Sequence, residues 1–275
     1  MVFPTFSFLS VLDRHIKIRC EEEKARNLLD ANFPLTAEIP RKVDLHYIVG
    51  REDKTSSLFL RMGKLPPVVA DDEGEFLSLF EESLTLALQR LRSDLYFFHA
   101  AALEYEGRAY LLVAPSGSGK STMTWALLHH GFAYMSDELG PVDLNTNEVH
   151  PYSHALCLKQ EPPRAYPLPV DVLRTTRTLH IPTSRLPSRE SGRPFPLSAI
   201  FFVQYNPKVR TPSIQPLSKA EASIRLFANA LNPLAHPGSG LDGSIKVATK
   251  NACFKLTTAD LPSSCQLVRT AIASL

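Results

Sequence analysis

Ala114-Pro115-Ser116-Gly117-Ser118-Gly119-Lys120-Ser121 is the stretch on which the reading of this chain turns. It fits the phosphate-binding pattern G-x-x-x-x-G-K-[ST] at every fixed position but the first, where Ala114 replaces glycine, a substitution such loops commonly allow. The flanks agree with the pattern. Tyr110-Leu111-Leu112-Val113 is a short apolar run suited to a buried strand, and residues 121–130 read as a helix stopped by Gly131. Strand, loop and helix in that order turn the loop N–H groups and the positive end of the helix dipole onto one point, where a polyphosphate can sit. Ser116, Gly117, Ser118, Gly119, Lys120, Ser121 and Thr122 are the expected nucleotide-binding residues. Lys120 is placed to reach the β- and γ-phosphates, and Ser121 to put its hydroxyl on Mg²⁺.

Outward from this loop, composition sets limits. A chain of 275 residues can hold one large domain or two modest ones around a packed core. Thirty Lys and Arg against 28 Asp and Glu give a formal charge of +2, which argues against nucleic acid or an anionic membrane as a general partner. Cys20, Cys157, Cys253 and Cys265 are scattered and form no C-x-x-C pair, so a reducing compartment is expected. Residues 1–6 lack the basic and apolar regions of a secretory leader, and no apolar run approaches spanning length. The expectation is a cytoplasmic protein; homo-oligomerisation is left open.

Residues 1–94 read as a small α+β module, with a strand or hairpin over 6–19, a charged helix over 21–30 and strands over 43–49 and 58–62. The clearest helix spans residues 72–92: Phe76, Phe80, Leu84, Leu88 and Leu91 form one apolar stripe, expected to pack the module onto the core. Residues 95–275 read as the nucleotide-binding catalytic domain. Residues 97–103 and 108–113 form two strands joined at Glu106-Gly107, the second delivering the loop. After the helix, residues 132–135 make a strand that ends at Ser136-Asp137-Glu138. An acid at the end of a strand neighbouring such a loop can hold Mg²⁺ or accept a proton from an attacking hydroxyl.

Asp143-x-Asn145-x-Asn147 imitates a calcium loop, but Glu148 and His154 stand where Gly and Glu are needed, so it reads as a polar hairpin turn. Pro151 between His150 and His154 breaks their helical spacing and argues against a metal pair. Residues 158–210 are rich in proline and in cations (Lys159, Arg164, Arg174, Arg177, Arg185, Arg189, Arg193) and read as extended loop around the site, with one short helix near residues 171–178. A buried strand over 197–204 follows. Ser218-Lys219-Ala220-Glu221 is a capping box opening a helix whose Ile224, Phe227, Ala228 and Leu231 are expected to face the core. The glycines of residues 237–243 read as a loop, and residues 254–256 and a terminal helix finish the chain.

The run His99 … Gly107 … Ala114-x4-Gly119-Lys120-Ser121 … Gly131 … Ser136-Asp137-Glu138 resembles the catalytic core of HPr serine kinase/phosphorylase, whose P-loop fold is shared with phosphoenolpyruvate carboxykinase. The resemblance covers roughly residues 97–143. It implies an α/β fold with a P-loop kinase core of that type behind the small N-terminal α+β module. It also implies that His99 matches the family's active-site histidine and Asp137 the first of its paired acids, the base and metal contact. Glu138 stands where the family has a second Asp, and Thr122 where it usually has Glu. The Glu-Ile-Arg-Gly-Leu-Gly loop associated with the reverse reaction is not found. The chain looks more like the shorter relatives that modify ribosomally made peptides.

The expectation is an ATP- and Mg²⁺-dependent kinase acting on a Ser or Thr hydroxyl of a peptide or protein. Lys120 would stabilise charge on the phosphates, Asp137 would orient or deprotonate the hydroxyl, and His99 would touch the acceptor. Ser121, Asp137 and Glu138 are the expected metal contacts. The alternatives are an ATP-hydrolysing switch, with Glu138 activating water, and a nucleotide-binding regulator without turnover.

Overall fold

The computed structural model describes residues 5–52, 56–188 and 192–275, so Arg189 of the basic stretch and residues 1–4 of the leader reading lie outside it. The chain is a mixed α/β protein that divides into two compact units. The first takes residues up to Leu91 together with Ser153–Glu161 and Leu168–Arg185; the second takes Arg92–Tyr152, Pro162–Pro167 and Leu186–Leu275.

In the first unit, β1 (Thr5–Val11) and β2 (Arg14–Cys20) form a hairpin. Its two turn residues, Leu12 and Asp13, are both left-handed, the geometry whose twist suits paired strands. Helix α1 (Glu23–Asn32) buries Ala25, Leu28 and Leu29. β3 (Leu45–Arg51) runs parallel to β2, and β4 (Leu58–Met62) and β5 (Val68–Val69) follow antiparallel, giving a five-stranded sheet in the order β1-β2-β3-β4-β5. The apolar stripe of α2 (Glu73–Leu91) is spent inside this unit: Phe76, Phe80, Leu84 and Leu88 are fully buried, and the Phe80 ring meets Phe33 and Tyr47 at 5.2 and 4.9 Å. Burial of such side chains stabilises by about 1.5–3 kcal/mol each.

The second unit opens with β6 (Leu95–Tyr105) and β7 (Arg108–Val113), paired through the turn expected at Glu106-Gly107, where both residues are left-handed. Helix α3 (Lys120–His129) follows the glycine-rich loop. Then come β8 (Ala133–Ser136), β9 (Leu139–Asp143) and β10 (Glu148–Val149). The β9–β10 connection is the polar hairpin turn expected, with Asp143 Oδ1 accepting from the N–H groups of Asn145 and Thr146.

The chain next adds β11 (Leu156–Leu158), β12 (Leu173–Arg174) and β13 (Leu179–Ile181) to the first unit as a small sheet of order β11-β13-β12. The short helix expected near residues 171–178 is therefore an extended segment and a turn. Thr175 Oγ1 accepts from the N–H groups of Arg177 and Thr178, a side-chain turn that competes with helix formation. Beside it lies a buried polar cluster: His180 Nδ1 is 2.6 Å from Asn32 Oδ1 and 3.3 Å from Cys157 Sγ, and its Nε2 is 2.7 Å from Thr178 Oγ1.

The second unit is completed by β14 (Phe195–Tyr205), β15 (Ser213–Pro216), α4 (Lys219–Phe227), α5 (Leu241–Lys250), β16 (Ala252–Thr258) and α6 (Leu261–Ala273). Its sheet has the order β10-β9-β6-β7-β14-β16-β15, with β8 also paired to β6 and β10 also paired to β14, so one end curls back on itself. β7, β14 and β16 are parallel neighbours. Tyr96, Phe98, Leu111, Val113, Ile200 and Leu226 lie in the core cluster on one face.

Two expectations fail here. In α4, Ser218 caps Glu221 N as predicted, but Ile224, Phe227 and Leu231 are 66, 38 and 39% exposed and Ala228 is exposed as well. The buried side carries Ala222, Ser223 and Leu226, because α4 packs on α5 through small residues. The glycines of residues 237–243 do not stay a loop throughout: α5 begins at Leu241, inside them.

Candidate phosphate-binding site

The site is built at the carboxyl end of β7. Residues 114–119 leave the strand, Gly117 and Gly119 take left-handed φ of 82° and 88°, and α3 starts at once. Gly119 is the helix N-cap and no side chain caps it; the first turn holds no acid. Ser118 N closes on Pro115 O at 3.3 Å, while Ser116 and Gly117 are exposed and Ser118, Gly119, Ser121 and Thr122 half-buried. The loop thus presents backbone N–H groups and a helix dipole with no acid in the helix's own first turn, the condition for taking an anion. The rest of α3 is buried from Met123 to Leu128, and Trp125 Nε1 donates to Tyr166 O, so the helix that carries the loop is held firmly.

Asp137 and Glu138 arrive by a route the sequence does not reveal. β8 is not the neighbour of β7; β6 lies between them, pairing β7 on one side and β8 and β9 on the other. The two acids are the break between β8 and β9: Ser136 pairs with Ala102 and Leu139 with His99, leaving Asp137 and Glu138 opposite the middle of β6. Ser136 Oγ accepts from Leu139 N across this break, and Glu138 O accepts from Ala100 N. The pairing of His99 with Leu139 is what brings His99 Nε2 to 3.2 Å from Glu138 Oε1.

Lys120 joins the two halves. It is only 6% exposed, its Nζ donates to the carbonyl of Asp137, and it stands 3.9 Å from Asp137 Oδ1 and 3.8 Å from Glu138 Oε2. An ammonium buried this deeply needs such partners. Asp137 is 2% exposed, and its Oδ1 has no hydrogen-bond donor among the described residues. A buried carboxylate oxygen left without a donor is costly unless a cation or a hydroxyl completes it.

The sequence-predicted residues Lys120, Asp137, Glu138 and His99 therefore form one connected group at the mouth of the loop. No family model matches this chain. No curated protein matches it either. Among the described residues no three His, Cys, Asp or Glu side chains converge as metal ligands, so a cation held here would draw on the Asp137 carboxylate, the Ser121 hydroxyl and ligand oxygens. The orphaned oxygen of Asp137 fits Mg²⁺ in that sense. No described helix is long and apolar enough to cross a membrane.

One neighbour of the loop was missed by the sequence reading. Tyr205, the last residue of β14, donates its backbone N–H to Ser118 O at 3.0 Å, and a Cβ on Gly119 would lie 3.2 Å from Tyr205 Cβ. An aromatic closing a buried strand just before Asn206-Pro207 is the only signal the sequence offers for it.

Proposed function

We propose that this protein is an ATP- and Mg²⁺-dependent kinase, with a P-loop core of the HPr kinase type, that transfers the γ-phosphoryl group to a Ser or Thr hydroxyl of a peptide or protein. The observation that carries the reading is the buried pair Lys120–Asp137 beside an uncapped, acid-free helix N-terminus. The loop N–H groups would hold the β- and γ-phosphates. Lys120, now on the Asp137 carbonyl, would turn to the β,γ oxygens and stabilise the charge that builds there. The Ser121 hydroxyl and the Asp137 carboxylate would hold Mg²⁺, which would supply further neutralisation of the phosphate oxygens. The acceptor oxygen attacks the γ-phosphorus as the bond to the β,γ-bridging oxygen breaks and ADP leaves. The hydroxyl proton passes to the Asp137 carboxylate, whose Oδ1 has no donor among the described residues. Glu138, engaged by His99 at 3.2 Å, orients that histidine toward the acceptor side.

The test is transfer of label from γ-labelled ATP with Mg²⁺ to a panel of Ser/Thr peptides and their alanine counterparts. Label should reach the hydroxyl peptides only and disappear in Lys120→Ala and Asp137→Asn. Phosphate release that ignores every acceptor, survives Asp137→Asn and collapses in Glu138→Gln would replace the kinase by a hydrolytic switch. Binding without either outcome would make the protein a nucleotide-dependent regulator.

A further inference from the structure

Tyr205, with Gln204, forms the exposed end of its strand. Ile200, Phe201, Phe202 and Val203 of β14 are all buried, whereas Tyr205 is 52% exposed. It lies three residues past Phe202, which pairs with Val113 at the end of β7, so its backbone runs alongside the glycine-rich loop at the open carboxyl edge of the parallel strands. Ligands of open α/β sheets gather at that edge.

The backbone around the ring is fixed. Tyr205 N is bonded to Ser118 O, Asn206 N donates to Thr258 O at 3.2 Å, and Lys208 N donates to Asn206 Oδ1 at 3.0 Å. The 3.2 Å between Tyr205 Cβ and the Cβ position of Gly119 sets the root of the side chain against the helix N-cap. A rigid, half-exposed aromatic at that distance from a phosphate cradle offers a flat apolar face without requiring a loop to be ordered.

We infer that Tyr205 is the platform on which the purine of the bound nucleotide stacks, while residues 116–121 hold the phosphates. The inference rests on the reading of the loop as a nucleoside triphosphate site. Base stacking on an aromatic tolerates either purine, so ATP and GTP should both use it.

Calorimetric titration with ATP and with inorganic tripolyphosphate, both with Mg²⁺, separates the two levels. Tyr205→Ala should weaken ATP about 10- to 100-fold, the usual loss for one stacked base, and leave tripolyphosphate unchanged. Tyr205→Trp should retain ATP and report it by quenching of the new indole, with no quenching by tripolyphosphate; Trp125, the chain's own tryptophan, is buried and gives the background. Retained tripolyphosphate affinity in Tyr205→Ala also certifies that the loop has stayed folded. If ATP binding is unaffected, or if both ligands weaken together, Tyr205 is not a stacking platform although the loop reading survives. If the unaltered protein binds neither ligand, the loop reading falls and the inference with it.

Discussion

Helices α3 and α5 begin alike and are put to opposite uses. Both start from a glycine N-cap in the left-handed region, Gly119 at φ 88° and ψ 10° and Gly240 at φ 83° and ψ −7°, and neither receives a side-chain cap. At α3 the first turn has no acid, the loop before it is open, and the next residue is Lys120. At α5 the first turn holds Asp242, whose carboxylate lies against Gly238, 2.6 Å from where a Cβ would stand. The Gly240 carbonyl accepts from Tyr96 Oη, and a Cβ on Gly240 would come within 2.7 Å of Pro233. The backbone shape is therefore not what makes an anion site. α5 brings its own negative charge and is wedged into the unit; α3 has no acid in its first turn, and the nearby Asp137 and Glu138 carboxylates face Lys120, which leaves the loop N–H groups for a ligand.

This contrast can be broken or sharpened by substitution, beginning with the largest effect. Lys120→Ala should lower phosphoryl transfer about 100- to 1,000-fold, as loss of one preorganised stabilising group does, and should also lower the thermal midpoint, because Asp137 is left buried without its cation. Gly240→Ala must fit a methyl against Pro233 and adopt a left-handed backbone, so urea unfolding should give a loss of about 2–4 kcal/mol with no change in nucleotide affinity. Gly119→Ala meets only Tyr205 Cβ, at 3.2 Å; its stability cost should be about 1–2 kcal/mol, while tripolyphosphate binding is lost. Equal stability losses at the two glycines would break the comparison. The smallest effect belongs to Asp242→Ala, about 0.5 kcal/mol from the helix dipole, and no phosphate site should appear at α5. A second tripolyphosphate equivalent in that variant would mean that charge alone separates the two helix starts.

Local rules carried much of the fold. The Glu106-Gly107 turn, the Ser218 cap and the polar turn after Asp143 are all set by residues within a few positions of each other, and each is found where it is expected; the α2 helix is found too, but its stripe is buried within the first unit. The errors sit where partners distant in sequence decide. Ile224, Phe227 and Leu231 recur at helical spacing, but the side of α4 that is buried is chosen by the small residues that admit α5. α5 itself starts in a glycine-rich segment because Pro233, Tyr96 and Asp242 stabilise its odd first turn. In the site, Lys120, Asp137 and His99 were legible as residues. Their connection was not, since it depends on β6 being shared by β7, β8 and β9, and Tyr205 comes from a strand 85 positions after Lys120.

The buried cluster around His180 gives the first unit a sensitivity to acid. Asn32 Nδ2 donates to Leu28 O, so Asn32 Oδ1 accepts from His180 Nδ1, and Thr178 serves Nε2; the ring is accommodated as a neutral group. Burial, with His154 nearby as a second basic group, lowers its pKa from 6.5 to about 4. The unfolded chain takes up this proton first as pH falls, so the stabilisation is complete above pH 6.5 and drains away toward pH 4, by about 3 kcal/mol in all. Mild acidification should therefore loosen the first unit by way of one imidazole, through a residue that has no part in phosphate binding.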